Sequence, residues 1–166
     1  MSAGILEPEK PQPVVKDVAA AYLQERGKPM PGPEHAYCQL NLGSEFKKSK
    51  GFVALSELNL ELEGRRTVPD ICLYTQEEWN SIRHQTWVTL PPRIAVEIIS
   101  PSQTIEEMTG KINDLLAAGV PSVWLLLPFA RVITIFQKDA PLISATSGVL
   151  TDPATGISVN VDEVFG

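Results

Sequence analysis

The spacing of apolar positions changes character twice between residues 92 and 128. Residues 93–99 form a β-branched, apolar run between Pro91-Pro92 and Ser100-Pro101, and this predicts a buried strand. Ile105, Met108, Ile112, Leu115 and Leu116 then recur at helical spacing and predict a helix with one apolar face. Thr104 and Glu107 supply a capping box, in which each side chain satisfies a backbone N–H of the first turn. Gly119 is the expected left-handed end cap, and Pro121 blocks any continuation. Residues 123–127 are a second apolar run. Strand, long crossover and strand predict a parallel, right-handed βαβ unit. One position breaks the pattern, because Glu97 lies in the middle of the first strand.

The rest of the chain reads around this unit. Residues 1–13 are proline-rich and predict a flexible N-terminal arm, with a single domain over residues 14–166. Residues 17–26 have helical composition and end at Gly27, and residues 29–33 form a loop. Pro33 suits the first turn of a second helix, where its missing N–H costs nothing. That helix is expected to turn Ala36, Tyr37 and Leu40 inward and to finish at Lys50-Gly51. Lys47, Lys48 and Lys50 in its last turn complement the helix dipole or form a phosphate-contacting patch.

Residues 52–55 open the sheet. Residues 56–62 alternate as a strand, with Leu58, Leu60 and Leu62 on one face and Glu57, Asn59 and Glu61 on the other. A turn at Glu63-Gly64-Arg65-Arg66 leads to a returning strand at residues 68–74. A register of Leu62 opposite Thr67 sets Asn59 against Asp70, with Glu57 one diagonal step away. Ile71 and Leu73 then join the three leucines. A short helix follows at residues 76–82, then a loop at 84–90. Beyond the βαβ unit and a turn at Pro128-Phe129-Ala130, residues 131–137 alternate as an antiparallel edge strand. Weaker strand signals lie at 141–144 and 156–160. The fold class is α/β, with a mixed sheet flanked by helices.

Composition narrows the function classes. Of the 166 residues 43% are hydrophobic and 20% charged, as in ordinary globular proteins. No apolar run approaches a membrane span and no signal-peptide pattern opens the chain, so a cytoplasmic protein without a membrane partner is expected. Cys38 and Cys72 are isolated, without metal-ligand spacing, and read as buried apolar residues in a reducing compartment. A net charge of −6 argues against a general polyanion binder but leaves room for a local basic patch.

Three acids, Glu57, Asp70 and Glu97, fall on neighbouring predicted strands. Clustered carboxylates repel unless they are protonated, solvated or neutralised by a cation. Oxygen ligands with water suit a hard ion such as Mg²⁺ or Mn²⁺, which lowers the pKa of water and polarises a phosphate. Lys111 flanks the apolar stripe of its helix, so its stem can follow the sheet while its ammonium reaches the rim. Each residue also has a plainer role. Glu57 is compatible with a solvated strand position, Asp70 with a turn after Pro69, Lys111 with an ion pair to Glu107, and Glu107 with capping. Glu97 is hardest to dismiss, since a carboxylate between Val96 and Ile98 needs a partner. His35 and His84 are lone histidines for which structural or exposed roles are expected.

Pro69-Asp70, an apolar strand holding Glu97 and a following lysine resemble the PD-(D/E)XK nuclease superfamily, which has the restriction-endonuclease-like fold. The resemblance is closer to the Uma-type endonuclease family, often encoded in several copies in bacterial genomes. It is carried by His35 and its helix, Ser56-Glu57, VPDICLY, AVEIISPSQT and KINDLLAAGVPSVW, across roughly residues 29–137. The resemblance implies a Mg²⁺- or Mn²⁺-dependent phosphodiesterase acting on DNA. Asp70 and Glu97 would be metal ligands, helped by the Ile98 carbonyl and by Glu57. Superfamily members normally carry the lysine two residues after the acid, where this chain has Ile99, so Lys111 would be the migrated replacement. Leu115, where relatives often have an aromatic residue, and Arg93 beside the diproline depart from the family pattern. A non-catalytic binding or oligomerisation module is the alternative, favoured by the acidic balance. A homodimer is compatible with the sequence but not specified by it.

Overall fold

A computed structural model describes residues 15–166 of the chain. The arm expected over residues 1–13 lies outside the described residues. The chain divides into two units, Met1–Met30 and Pro31–Gly166. The first contains helix α1 (Val15–Arg26), closed by Gly27 at φ 68°, whose amide donates to the Leu23 carbonyl at 2.8 Å.

The second unit is built on a six-stranded sheet. Helix α2 (Pro33–Phe46) precedes β1 (Phe52–Ser56), and a small hairpin of β2 (Leu60–Leu62) and β3 (Arg65–Thr67) follows. The chain re-enters the sheet as β4 (Ile71–Thr75), leaves through α3 (Gln76–Ile82) and returns as β5 (Ile94–Ile98). Helix α4 (Ile105–Ala117) then leads to β6 (Ser122–Leu127), β7 (Val132–Phe136) and β8 (Ile143–Ala145). A second hairpin of β9 (Val149–Thr151) and β10 (Ser158–Asn160) passes into the short helix α5 (Val161–Phe165). The sheet order is β1-β4-β5-β6-β7-β8, and within it only β5 and β6 run parallel.

The predicted βαβ unit is therefore β5–α4–β6. Its helix starts at the Thr104–Glu107 capping box, with both reciprocal bonds formed, and Gly119 adopts φ 95° beyond its end. Met108, Ile112 and Leu115 are buried beneath it, while Ile105, expected on the same face, is 55% exposed.

Each side of the sheet has its own core. Ile71, Leu73, Val96, Ile98 and Trp124 pack with Cys38, Leu42 and Phe46 of α2 and Val164 of α5. Cys72, Tyr74, Ala95, Val123 and Leu125 pack on the other side with Met108, Ile112 and Leu115 of α4. The result is a helix–sheet–helix sandwich, and the mixed α/β expectation holds.

Several local expectations are corrected. Helix α2 stops at Phe46 and buries Cys38, Leu42 and Phe46, whereas Tyr37 and Leu40 are exposed. The four-residue spacing of Cys38, Leu42 and Phe46 is the real stripe, disguised by the charged Glu45 beside it. Lys47, Lys48 and Lys50 consequently lie in the turn after the helix. Residues 56–62 are not one strand, because Glu57 at φ 53° ends β1 and redirects the chain. The β2–β3 register is Leu60 opposite Thr67, two residues from the expected one. Leu60 and Leu62 therefore join the α4 side, opposite Ile71 and Leu73.

Arg65 and Arg66 belong to β3, and the turn before it is Glu63-Gly64, with φ of 49° and 76°, as a type I′ hairpin requires. Pro69-Asp70 separates β3 from β4 within the predicted strand at 68–74. Strand β7 is covered by β8 and is not an edge. Strand β9 and helix α5 were not predicted: each is too short for periodicity to register.

Glu45 joins α2 to the C-terminal hairpin. Its carboxylate pairs with Lys48 and accepts from the Asn160 N–H at 2.9 Å. Burial alone would push this carboxyl up, but the Lys48 ammonium and the Asn160 amide more than offset it and hold its pKa below the ordinary value. A depressed carboxyl stabilises the fold above its unfolded pKa and loses that stabilisation as pH falls through the folded value. Glu45→Gln is expected to cost about 1–2 kcal/mol near pH 7 in urea unfolding, a gap that closes below about pH 4.

Candidate active site

Asp70 occupies the junction before β4, where Pro69 interrupts the ladder. Its N–H donates to the Val96 carbonyl at 2.9 Å, and its carbonyl accepts from the Glu57 N–H at 3.2 Å. Oδ2 accepts from the Ile98 N–H at 2.7 Å and lies 3.2 Å from Nε2 of His35. The residue is 1% exposed. Because Ile71 pairs with Val96 in the antiparallel β4–β5 ladder, the next position along brings Asp70 alongside Glu97.

Glu97 is held by strand alternation. Val96 and Ile98 turn to the α2 side, so Glu97 shares the α4 side with Ala95 and Ile99. Its carboxylate is 2% exposed, and the Lys111 Nζ stands 2.8 Å from Oε1. Lys111 sits one position before Ile112, at the edge of the buried stripe of α4, with its side chain 24% exposed. Glu107 meanwhile accepts from the Thr104 N–H at 3.0 Å as a cap. Lys111 thus meets Glu97 and not Glu107, the partner expected of it in its plainer role.

Glu57 is tied to the same junction through Gln39, which the sequence reading overlooks. The Gln39 Nε2 donates to Glu57 Oε1 at 3.2 Å and to the Asp70 carbonyl at 2.9 Å. His35 and Gln39 are four residues apart on α2, so one helix face reaches both the side chain and the main chain of Asp70. That i, i+4 pair of polar residues beside a buried stripe was the available signal. His35 itself is buried, and its Nδ1 has no hydrogen-bond partner among the described residues. His84 is exposed.

No three His, Cys, Asp or Glu side chains among the described residues gather into a group able to hold a metal ion. A closed protein cage is thus not formed. Two buried carboxylates, Asp70 just before β4 and Glu97 on β5, nevertheless match Mg²⁺, which takes one or two carboxylates and completes its shell with water and phosphate. The donor set fits a hard ion of that kind. Neither cysteine offers chemistry: both are buried and outside any disulfide, and burial, with Glu34 nearby, pushes Cys38 above its ordinary pKa.

The basic candidates for DNA contact are mostly neutralised. Lys48 pairs with Glu45, Arg65 with Asp114 at 2.8 Å, and Arg66 with Glu61 at 3.6 Å while lying over the Trp87 ring. Arg93, the departure beside the diproline, pairs with Glu78 at 2.6 Å. No helix among the described residues is long and apolar enough to cross a membrane.

Comparison with known proteins gives the arrangement its context. No curated protein sequence matches the chain. The crystal structure of a putative nuclease belonging to DUF820 from Anabaena variabilis is similar, with a TM-score of 0.69 and 22% identity over 83% of each chain. At that identity the likeness speaks for the fold, which is restriction-endonuclease-like. A cryo-electron-microscopy structure of a DrdV–DNA complex aligns at 13% identity and a TM-score of 0.44, over 78% of this chain and 11% of that one. That alignment is too loose to carry an argument. The profile of the Uma2 family, described as a putative restriction endonuclease, matches residues 16–161. The match takes in the whole β5–α4–β6 unit and both carboxylates beside it, and the chain belongs to the Uma2 family.

Proposed function

We propose that the chain is a metal-dependent endonuclease that hydrolyses DNA phosphodiester bonds at Asp70, Glu97 and Lys111. The observation that carries this reading is the Lys111 Nζ 2.8 Å from Glu97 Oε1, a carboxylate only 2% exposed on an apolar strand. Burying that acid is costly, and the helix spends a lysine to offset it at a sheet end where Asp70 also lies. Core packing alone has no need of such a pair.

Asp70, Glu97 and the Ile98 carbonyl are the groups that would hold Mg²⁺ or Mn²⁺, with Glu57 joining once Gln39 releases it. The bound ion would lower the pKa of a water and polarise the phosphate. His35 and the Ile98 N–H fix the Asp70 carboxylate in one orientation. Lys111 holds Glu97 before the substrate arrives. Its ammonium then stabilises the negative charge that develops on the phosphate oxygens.

Lys47, Lys48, Lys50, Arg65 and Arg66 remain the sources of backbone attraction, and a homodimer would add a second set. Two buried cysteines outside any disulfide suit a reducing cytoplasm. The pairing of Lys48, Arg65 and Arg66 with acids favours one competing reading, a fold that binds an ion or partner without cutting.

Supercoiled plasmid incubated with Mg²⁺ or Mn²⁺ tests the choice. Nicking by the wild type is expected, falling by about 10²-fold or more in Lys111→Met and Asp70→Asn. No nicking with either metal, or wild-type nicking by Lys111→Met, overturns the reading.

A further inference from the structure

A cavity of about 420 Å³ opens beside the candidate site, walled by His35, Ile99, Ser100, Gln103, Ile105 and Phe129. This volume lies within the range of about 300–1,000 Å³ usual for small-molecule sites. Two of its wall residues adjoin the carboxylates. His35 contacts Asp70 through Nε2, and Ile99 follows Glu97-Ile98 directly. The cavity is apolar apart from a few groups, and two large apolar side chains stand exposed there, Phe129 at 74% and Ile105 at 55%.

The lining decides what can enter. Glu34 is the one acid among the described lining residues, and no lysine or arginine accompanies it, so a phosphate is disfavoured. A neutral ligand with a large apolar surface is favoured instead. Gln103 Oε1 accepts from the Ser100 N–H at 3.0 Å, which orients the amide and leaves Nε2 as the donor it can offer. The buried Nδ1 of His35, without a partner among the described residues, adds a second polar atom in the wall residues.

We propose that this cavity takes the nucleobase of one unpaired nucleotide next to the phosphodiester held at Asp70, Glu97 and Lys111. The proposal rests on the nuclease reading above and deepens it. A base is neutral and planar, with a π-face for Phe129 and an edge of donors and acceptors for Gln103. A base inside a duplex is stacked on both faces and paired at its edge, so it cannot enter a side cavity. The preferred substrate is therefore DNA with a single-stranded, bulged or readily extruded nucleotide. Negative supercoiling supplies such nucleotides in plasmid.

Oligonucleotides carrying 2-aminopurine at a one-nucleotide bulge test this in EDTA and low salt, where no cleavage occurs. The full-length protein is expected to bind the bulged duplex at least tenfold more tightly than the matched one and to change the probe's fluorescence on stacking. Phe129→Ala should weaken bulge binding about 5- to 150-fold, as loss of a base–aromatic stack does, and leave matched-duplex binding unchanged. Ile105→Ala, at another exposed position, should act in the same direction. Equal affinity for bulged and matched DNA, no binding at all, or no effect of either substitution overturns the proposal. Plasmid nicking that persists alongside such a failure leaves the nuclease reading standing. Bulge-selective binding without nicking does the reverse.

Discussion

Replacing Lys111 by methionine lowers the melting temperature of the metal-free protein by about 4–12 °C at neutral pH. The estimate takes a destabilisation of about 2–3 kcal/mol and about 2–4 °C per kcal/mol for a chain of this size. Methionine preserves most of the apolar stem along α4 and removes only the ammonium. What remains is the Glu97 carboxylate, 2% exposed, without the Lys111 cation. Removing one partner of a fully buried pair costs about 3–5 kcal/mol. Lys111 is 24% exposed, so water can follow the vacated charge, and the cost falls to the low end of that range or just below it.

The double variant Lys111→Met/Glu97→Gln should recover most of the loss, because no charge is then stranded. Thermal scans of the four proteins complete the cycle. A Lys111→Met protein that melts with the wild type would mean that the ammonium contributes nothing to holding Glu97. The lysine would then be a surface residue that merely lies close.

This cycle probes a pair that was half visible in the sequence. Glu97 was conspicuous because strand alternation leaves no polar environment for a carboxylate between Val96 and Ile98. Lys111 was placed at the edge of the α4 stripe by helical periodicity, and both ends of that helix were written in local chemistry. Thr104, Glu107 and Gly119 act within one turn of where they stand, so no tertiary knowledge was needed. The β5–α4–β6 unit was legible for the same reason.

Other parts depended on contacts distant in sequence. The register of β2 against β3 was misjudged because Glu57 adopts a left-handed conformation that alternation cannot reveal. The alternating leucines looked like one long strand, whereas the chain turns at that acid and starts a separate hairpin. The inward face of α2 was misread because Glu45 is buried among apolar neighbours, satisfied by Asn160 from 115 residues away. Gln39 was overlooked since its partners, Glu57 and Asp70, meet it only once β1 and β4 have paired. His35 reads as a lone histidine in the sequence for the same reason, and only the fold reveals Asp70 beside it. Local signals thus gave elements and one anomalous acid, while the neighbours of that acid came from sheet pairing.

Those neighbours change what metal addition should do, and this is the sharpest test of the ion. Three acids gathered without partners would repel, so that neutralising any one would raise stability. In the fold each has its own partner: Asp70 the Ile98 N–H and His35, Glu97 Lys111, and Glu57 Gln39. Asp70→Asn keeps an oxygen for the Ile98 N–H, and Glu97→Gln leaves an ammonium that can turn to water. Both amides should therefore melt within a few degrees of the metal-free wild type. The response to Mn²⁺ is what separates them. An ion at about 100 times its dissociation constant contributes roughly 2.7 kcal/mol, or about 5–11 °C here. Wild type should show that rise, and both amide variants should lose most of it. Lys111→Met should show a larger rise than wild type, because the ammonium no longer competes with the ion for Glu97. A bystander cluster predicts the opposite pattern, with no specific Mn²⁺ effect in any of the four proteins. Superimposable wild-type scans with and without Mn²⁺ would remove Asp70 and Glu97 as metal ligands, and metal-dependent cleavage at this site would go with them.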